Sequence, residues 1–472
     1  MENFEVDFNG STLVTHGIST PVAIINSKKI KIKNLHLDNP ETLTVQARVV
    51  EVNETAIKVS VEKGLEQFAF ESGRLYARYG KEYMYVGQNT IIEFDGRTGE
   101  IAHGTGDEAL GDTTQLRYER IDEEHIIIRG ATRVPSIGDF LILTMYCRAG
   151  AGVFASSSQE LFFENVKIHA CYGMGMLVQF CHNVTVDGCA TERINGRMYT
   201  ANADATHFVC CSGVVKIEGC SFEGQYDDAL NIHGIFLRVI DKLSDREVLV
   251  KQMHYQATGL PILEKGNKIQ ALEPDSLIPY TENVVSEVEI INDEILRVAF
   301  TESIENINVG DNIENLDKSP ELIFRNNIVR DNRARGILIA AKGRVLIENN
   351  YFHTAGPAIL FESDGKWWFE SGATTDVTIR NNHFDRCRHG AWGTSVIQYV
   401  KREKINANCY YHGTVRIIDN QFDMYNENAM TLDNINEVII IGNGSNRNAV
   451  TVDLSHCGKT ELQHNGFNYK KG

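Results

Sequence analysis

The sequence predicts an all-β chain, a parallel β-helix interrupted by two inserted β modules. Three observations carry this. No segment of useful length keeps the 3.6-residue period of an amphipathic helix. Short apolar rungs recur: FFENVKIHA, VTVDGCAT, VKIEGCSF, LIFRNNIV, VLIENNYF, VTIRNNHF, VRIIDNQF and IIIGNGSN. Two long stretches lack those rungs and read instead as antiparallel hairpins.

Six of the rungs share one frame, apolar–x–Asn/Gly/Asp–Asn/Cys–x–apolar, and Asn327 to Asn350 and Asn420 to Asn443 are both 23 residues apart. Self-similarity with a period in the twenties marks a solenoid. Apolar strands with Asn stacked at their turns fit a parallel β-helix, one coil per repeat. A leucine-rich repeat has a similar period, but its Leu-x-x-Leu-x-Leu pattern and helical half are missing.

In chain order, residues 1–42 open the β-helix, with VAIINSKKIKIKNLHLDN as a strand, a turn and a second strand. Residues 43–147 form the first module, where VQARVVEVNETAIKVSV and MYVGQNTIIEFDG read as hairpins with Asn-Glu and Asp-Gly turns. Coils return over 148–234. Residues 235–319 are the second module, and 320–472 complete the β-helix. The modules look like two copies of one unit: RIDEE with Gly138-Asp139 in the first matches INDE with Gly310-Asp311 in the second. Insertions of this length exceed ordinary connections, so each must be folded in its own right.

A net charge of −17 and a pI near 5.4 argue against nucleic acid or an anionic membrane as partner. Nowhere do about 18 apolar residues run unbroken, so no membrane-spanning helix is expected. MENFEVDFNGSTLV has no charged segment leading into an apolar run. A cytoplasmic location is expected of the chain as it stands, and a secreted or periplasmic one if a leader has been removed. The ten cysteines show no zinc-like pairing and read as buried free thiols. No cluster has metal spacing, and neither a phosphate-binding loop nor a Gly-x-Ser-x-Gly elbow is present. No metal or cofactor is expected, and the chain is expected to be a monomer or a weak oligomer.

Chemistry concentrates between Ala201 and Gly234. Asp204, Asp227 and Asp228 stand there among small and apolar residues, where carboxylates are costly unless a groove or a reaction needs them. Individually each reads better as a turn or cap residue than as a catalytic one. Their register sets them apart. Eight residues beyond the frame positions Cys220, Asn327 and Asn350 lie Asp228, Arg335 and Ala358, and ADATHF aligns with DDALNI. Asp204, Asp228 and Arg335 are therefore expected in one stripe on adjacent rungs, with Asp227 beside it. Carboxylates this close cannot all ionise independently, so one holds a proton at raised pKa, as acid–base catalysis requires. Arg335 either holds a base ionised, binds a sugar hydroxyl or makes a structural ion pair. Trp367 and Trp368, in a Gly-flanked loop, read as a sugar-stacking platform with Glu370 as a hydroxyl acceptor. His207, Asn231 and His233 complete the candidate substrate contacts.

ADATHF, then YDDALNIHG, the insertion after it, RGILIAAKGRVLIENN and WWFESGATTDVTIRNN together resemble glycoside hydrolase family 110. The likeness covers most of the chain from about residue 20, in motif order, spacing and insertion position. It implies a right-handed parallel β-helix with two small β-barrel insertions. It also implies an inverting exo-α-1,3-galactosidase acting on oligosaccharides with terminal α-galactose, blood-group-B-like or linear. On that resemblance Asp227 is the general acid, and Asp204 and Asp228 hold and activate water. The polygalacturonases, also β-helices, share a similar three-aspartate arrangement. A polysaccharide lyase, another β-helix glycosidase of polygalacturonase type and a non-catalytic carbohydrate-binding β-helix are the alternatives left open by the sequence.

Overall fold

A short β-branched strand cannot bury its apolar face alone; parallel stacking of such strands buries it continuously. The computed structural model describes residues 1–471 apart from 42–43, 63–64, 66–67, 80–81, 85–87, 146–147, 403, 405–408 and 448–449, and it folds this way. Three short strands, one per face, make a coil. In one coil they are Thr206–Val209, Ser212–Glu218 and Ser221–Glu223, paired in parallel with Leu230–Lys242, Glu321–Arg325 and Ile328–Arg330 of the next. One apolar core runs the length of the stack, from Ile24 to Phe467. Residues alternate along each strand, so Leu322 and Phe324 point inward while Glu321 is exposed. On the third face Phe352, Phe384 and Phe422 stack with ring centroids 5.4 and 4.7 Å apart.

The repeating frame has two physical jobs, one per position. Its first residue turns the corner in the left-handed region, with φ of 56° at Asn326 and Asn349 and 53° at Asn381 and Asp419. Asn and Asp tolerate that region better than most residues. The second residue satisfies the backbone inside the corner. Asn382 Oδ1 accepts the backbone N–H of Asn350 at 3.0 Å and its side-chain amide at 2.9 Å. Asn420 accepts in the same way from Asn382, and Asn443 from Asn420.

The first module pairs a six-stranded antiparallel sheet, Thr44–Val52, Ala56–Ser60, Gln88–Phe94, Arg117–Arg120, His125–Arg129 and Phe140–Met145, with a three-stranded one, Phe68–Glu71, Arg74–Tyr79 and Glu82–Met84. The second is a closed barrel in which Leu230–Lys242 pairs with Glu247–Gln252 and Asn312–Asn315, and the remaining three strands complete the ring. The modules repeat in detail. Gly138 and Gly310 take φ of 98° and 99°, and donate 2.8 Å hydrogen bonds to Val49 O and Val239 O. Asp122 and Asn292 each accept two backbone N–H groups at equivalent hairpins.

Two local expectations come out differently. Asp95-Gly96 makes no tight hairpin: Asp95 Oδ1 accepts from Arg97 and Thr98 N–H, and a single bridge joins Phe94 to Ile101. Part of the expected hairpin over 84–96 lies outside the described residues. No strand ends at residue 234 either. Leu230–Lys242 is continuous, parallel to coil strands over Leu230–His233 and antiparallel beyond. Among the described residues no helix is long and apolar enough to cross a membrane, and the nine described cysteines are free thiols, seven of them buried.

Asn382→Ala would leave the Asn350 N–H groups and three hydrogen-bond acceptors facing an apolar methyl. At about 1–3 kcal/mol for a buried group left unsatisfied, a loss near 3 kcal/mol is expected. Urea denaturation followed by tryptophan fluorescence measures it, and an unchanged midpoint would refute the role given to the ladder.

Candidate active site

The pairing of successive coils builds the site. His207 lies opposite Asn231, and Asn231 opposite Leu338. That register carries Asp204, Asp228 and Arg335, each two residues before its strand, into one column. Asp204 Oδ1 accepts the backbone N–H of Asp228 at 3.0 Å. Arg335 closes a fork on Asp228, Nε to Oδ1 at 2.8 Å and Nη2 to Oδ2 at 2.9 Å. Ala334 takes φ of 59°, an uncommon conformation for a residue with a side chain. Asn332 donates to the backbone carbonyls of Asp227 and Arg333, tying this turn to the aspartates.

Asp227 meets three guanidiniums: Arg148 Nη2 at 2.6 Å, Arg333 Nη1 at 3.1 Å and Arg335 Nη2 at 3.4 Å. Arg333 is anchored in turn by Asp107 of the first module, at 2.6 and 2.8 Å. One oxygen from each of Asp204, Asp227 and Asp228 lies within 4.8 Å of the others. Guanidiniums engage two of these carboxylates, Asp227 and Asp228.

Environment divides the three acids. Burial pushes the Asp227 carboxyl up, but Arg333, Arg148 and Arg335 together outweigh it and hold the group below the usual carboxylate range. Complete burial, with the charges of Asp227 and Asp204, drives Asp228 well above that range against the Arg335 fork. Asp228 is 0% exposed and stands behind the cleft floor rather than on it.

Asp204 and Asp227 face a cleft of about 520 Å³, within the usual range of roughly 300–1,000 Å³ for small-molecule sites. Its wall is the loop carrying Trp367 and Trp368, 81% and 45% exposed. Asp364 shapes that loop by accepting the backbone N–H groups of Lys366, Trp367 and Trp368. Glu370 is placed by antiparallel pairing with Ile235 and lies 3.6 Å from His233 Nε2. His207 and Asn231 also line the cleft, and Asn231 Oδ1 has no hydrogen-bond partner among the described residues. A second lobe of about 250 Å³ adjoins it across Arg148, His207, Trp368 and Glu370, lined by His233, His254 and apolar residues including Met174, Leu177 and Leu260.

All ten candidate residues thus come together, with Asp228 behind the floor and His233 in the adjoining lobe. Sequence reasoning missed Arg148, Asp107, Arg333 and Glu362. Glu362 lines the cleft, and burial raises its pKa against the pull of Arg335. Arg333 was within reach of a sequence reading, because it shares the NRARG turn with Arg335. His254 and Trp368 rings meet at 5.0 Å, so the second module contributes to the wall.

Fold and site now define a class. Residues 45–141 match the family described as GLAA-B beta-barrel domain I, 247–313 match GLAA-B beta-barrel domain II, and 307–472 match the right handed beta helix region. This is a right-handed β-helix carrying two GLAA-B barrels. The chain is 31% identical to an alpha-1,3-galactosidase B of Akkermansia muciniphila over 92% of its own length and 54% of the relative's. It is 29% identical to an alpha-1,3-galactosidase A of Shewanella woodyi, over 94% and 73% of the two chains. An alpha-1,3-galactosidase A of Bacteroides fragilis is 30% identical, over 89% and 70%. The chain belongs to the alpha-1,3-galactosidase family and is a glycoside hydrolase. It spans about half the length of the Akkermansia relative.

Arg148 leans on Asp227 from outside the two-arginine turn, so Arg148→Gln removes one of three cations without touching the fork on Asp228. The Asp227 pKa is expected to rise. The carboxyl carbon-13 shift of Asp227 followed over pH reads this directly, and an unmoved titration would show that Arg148 contributes nothing to its ionisation.

Proposed function

We propose that this chain releases terminal α-1,3-linked galactose from oligosaccharide ends by exo-acting, inverting hydrolysis. The observation that carries this reading is the cluster of Asp204 and Asp227 on the floor of a walled cleft with Trp367 and Trp368 beside it. A coil face below, the 364–370 loop, Gln256 of the second module and Trp392 surround the space, which suits a chain end better than a chain interior.

In this reading Asp227 gives its proton to the glycosidic oxygen as the C1–O bond breaks. Water attacks C1 from the opposite side and passes a proton to Asp204. Three guanidiniums hold Asp227 ionised in the free protein. Its proton is taken up in the complex, when a neutral sugar displaces water and shares Arg148 and Arg333 through its hydroxyls. The family resemblance assigned water to Asp204 and Asp228 jointly. With Asp228 buried behind the floor, contact with water falls to Asp204, and Asp228 supports it through its N–H and Arg335. The carboxyl oxygens are nearer together than the roughly 6.5–9.5 Å usual for inversion. Acid and water would then sit side by side along the coil face, with the breaking bond lying parallel to it. Glu362, Glu370 and Asn231 serve as hydroxyl partners. The chain works as a monomer or weak oligomer and needs no metal, because guanidiniums neutralise its carboxylates.

Asp227→Asn is expected to lower turnover of a Gal-α-1,3-Gal disaccharide by about 10²–10⁴ while sparing an aryl galactoside with an acidic phenol leaving group. Asp204→Asn should depress both substrates together. Equal losses in both variants on both substrates would remove this division of roles.

Stereochemistry is checked separately. Proton NMR of the first-formed sugar should show β-galactose from the α-linked substrate, and α-galactose appearing first would overturn inversion.

A further inference from the structure

A buried hydrogen-bonded chain runs back from the cleft floor. Asp204 Oδ2 lies 2.5 Å from His207 Nδ1, His207 Nε2 lies 2.9 Å from His233 Nε2, and His233 Nδ1 lies 2.6 Å from the carbonyl oxygen of Gly234. Each contact holds one hydrogen. The carbonyl only accepts, so His233 Nδ1 must carry the first. The two facing Nε2 atoms share the second. Two neutral imidazoles supply no more than these two, and an ionised carboxylate supplies none. The shortest contact, between Asp204 and His207, therefore requires a third.

We infer that the Asp204–His207–His233 chain stores one proton beyond a carboxylate and two neutral imidazoles, and that His207 bears it as an imidazolium. His207 is thereby a positioning residue that holds Asp204 ionised and aimed at the cleft. His233 and the Gly234 carbonyl fix the direction of every hydrogen bond behind it.

His207 lies directly against the Asp204 carboxylate, 2.5 Å away, whereas His233 Nδ1 meets only a backbone carbonyl. Burial holds His233 below the usual histidine pKa, which leaves His207 to carry the charge. The charged and titratable groups around this pair are Asp227, Asp228, Arg148, Arg335 and, beyond His233, Glu370. During the reaction the stored proton is not consumed. Water's proton passes to Asp204, the leaving oxygen takes the proton of Asp227, and His207 stays charged throughout.

The proton count stands on hydrogen-bond geometry, whereas its use in catalysis rests on the reading of Asp204 as the base. Two measurements separate them. Long-range proton–nitrogen-15 correlation of histidine-labelled protein near neutral pH should show both His207 nitrogens protonated and His233 in the Nδ1–H tautomer. His207→Gln and His233→Gln assign the signals, and Asp204→Asn should return His207 to the neutral form. A neutral His207, or His233 protonated at Nε2, in the unsubstituted protein overturns the inference whether or not any variant folds. Kinetically, His207→Gln should lower kcat by roughly 10² on disaccharide and aryl galactoside alike with KM unchanged, as expected of a misplaced base. An unaltered kcat beside an imidazolium signal would leave the stored proton standing and remove its positioning role.

Discussion

Parallel stacking with a fixed register is the constraint on which everything else in this protein depends. Neighbouring strands of a sheet lie about 4.7–4.9 Å apart, so residues far apart in sequence but equivalent in register become contacts. Asp204 and Asp228 touch through a backbone hydrogen bond, and Asp228 meets Arg335 across the whole second module. The Asn ladder keeps that register from coil to coil by satisfying corner backbone groups that no strand partner reaches. A slip by one residue would turn every inward side chain outward, and with it the column of Asp204, Asp228 and Arg335.

Electrostatics then makes the column workable. Burial alone would protonate three adjacent aspartates or expel them. Here three guanidiniums come from two parts of the chain: Arg148 after the first module, and Arg333 and Arg335 on the coil after the second. Asp107 belongs to the first module yet anchors Arg333. The first module thus braces the floor, while the second adds to the wall. The order of insertion follows from this, since one module ends just before Arg148 and the other leaves the stack just after Asp227 and Asp228.

The parts of this design that were legible in the sequence are those with a period. The frame around Asn327, Asn350, Asn382 and Asn420 announces itself because each corner makes the same two demands, positive φ and a side-chain amide. The column of Asp204, Asp228 and Arg335 was countable from that frame. Contacts crossing from module to coil obey no period. Asp107 and Arg333 are 226 residues apart and nothing local links them. Glu362 sits on a strand end that reads as ordinary. The module boundary at 234 and 235 hid a continuity for a related reason: composition and pairing change there, but the backbone does not. Extended conformation suits both a coil strand and a barrel strand, so one strand serves both.

That shared strand, Leu230–Lys242, has a mechanical meaning. It holds Asn231 and His233 at one end and the staves of the second barrel at the other, with Gly234 pressed so closely against Ser371 that even a methyl group would strike it. A barrel rooted in this way cannot swing like a hinged door without tearing parallel pairs from the coil. The mouth above the aspartates is thus a collar fixed to the coil rather than a flap beside it.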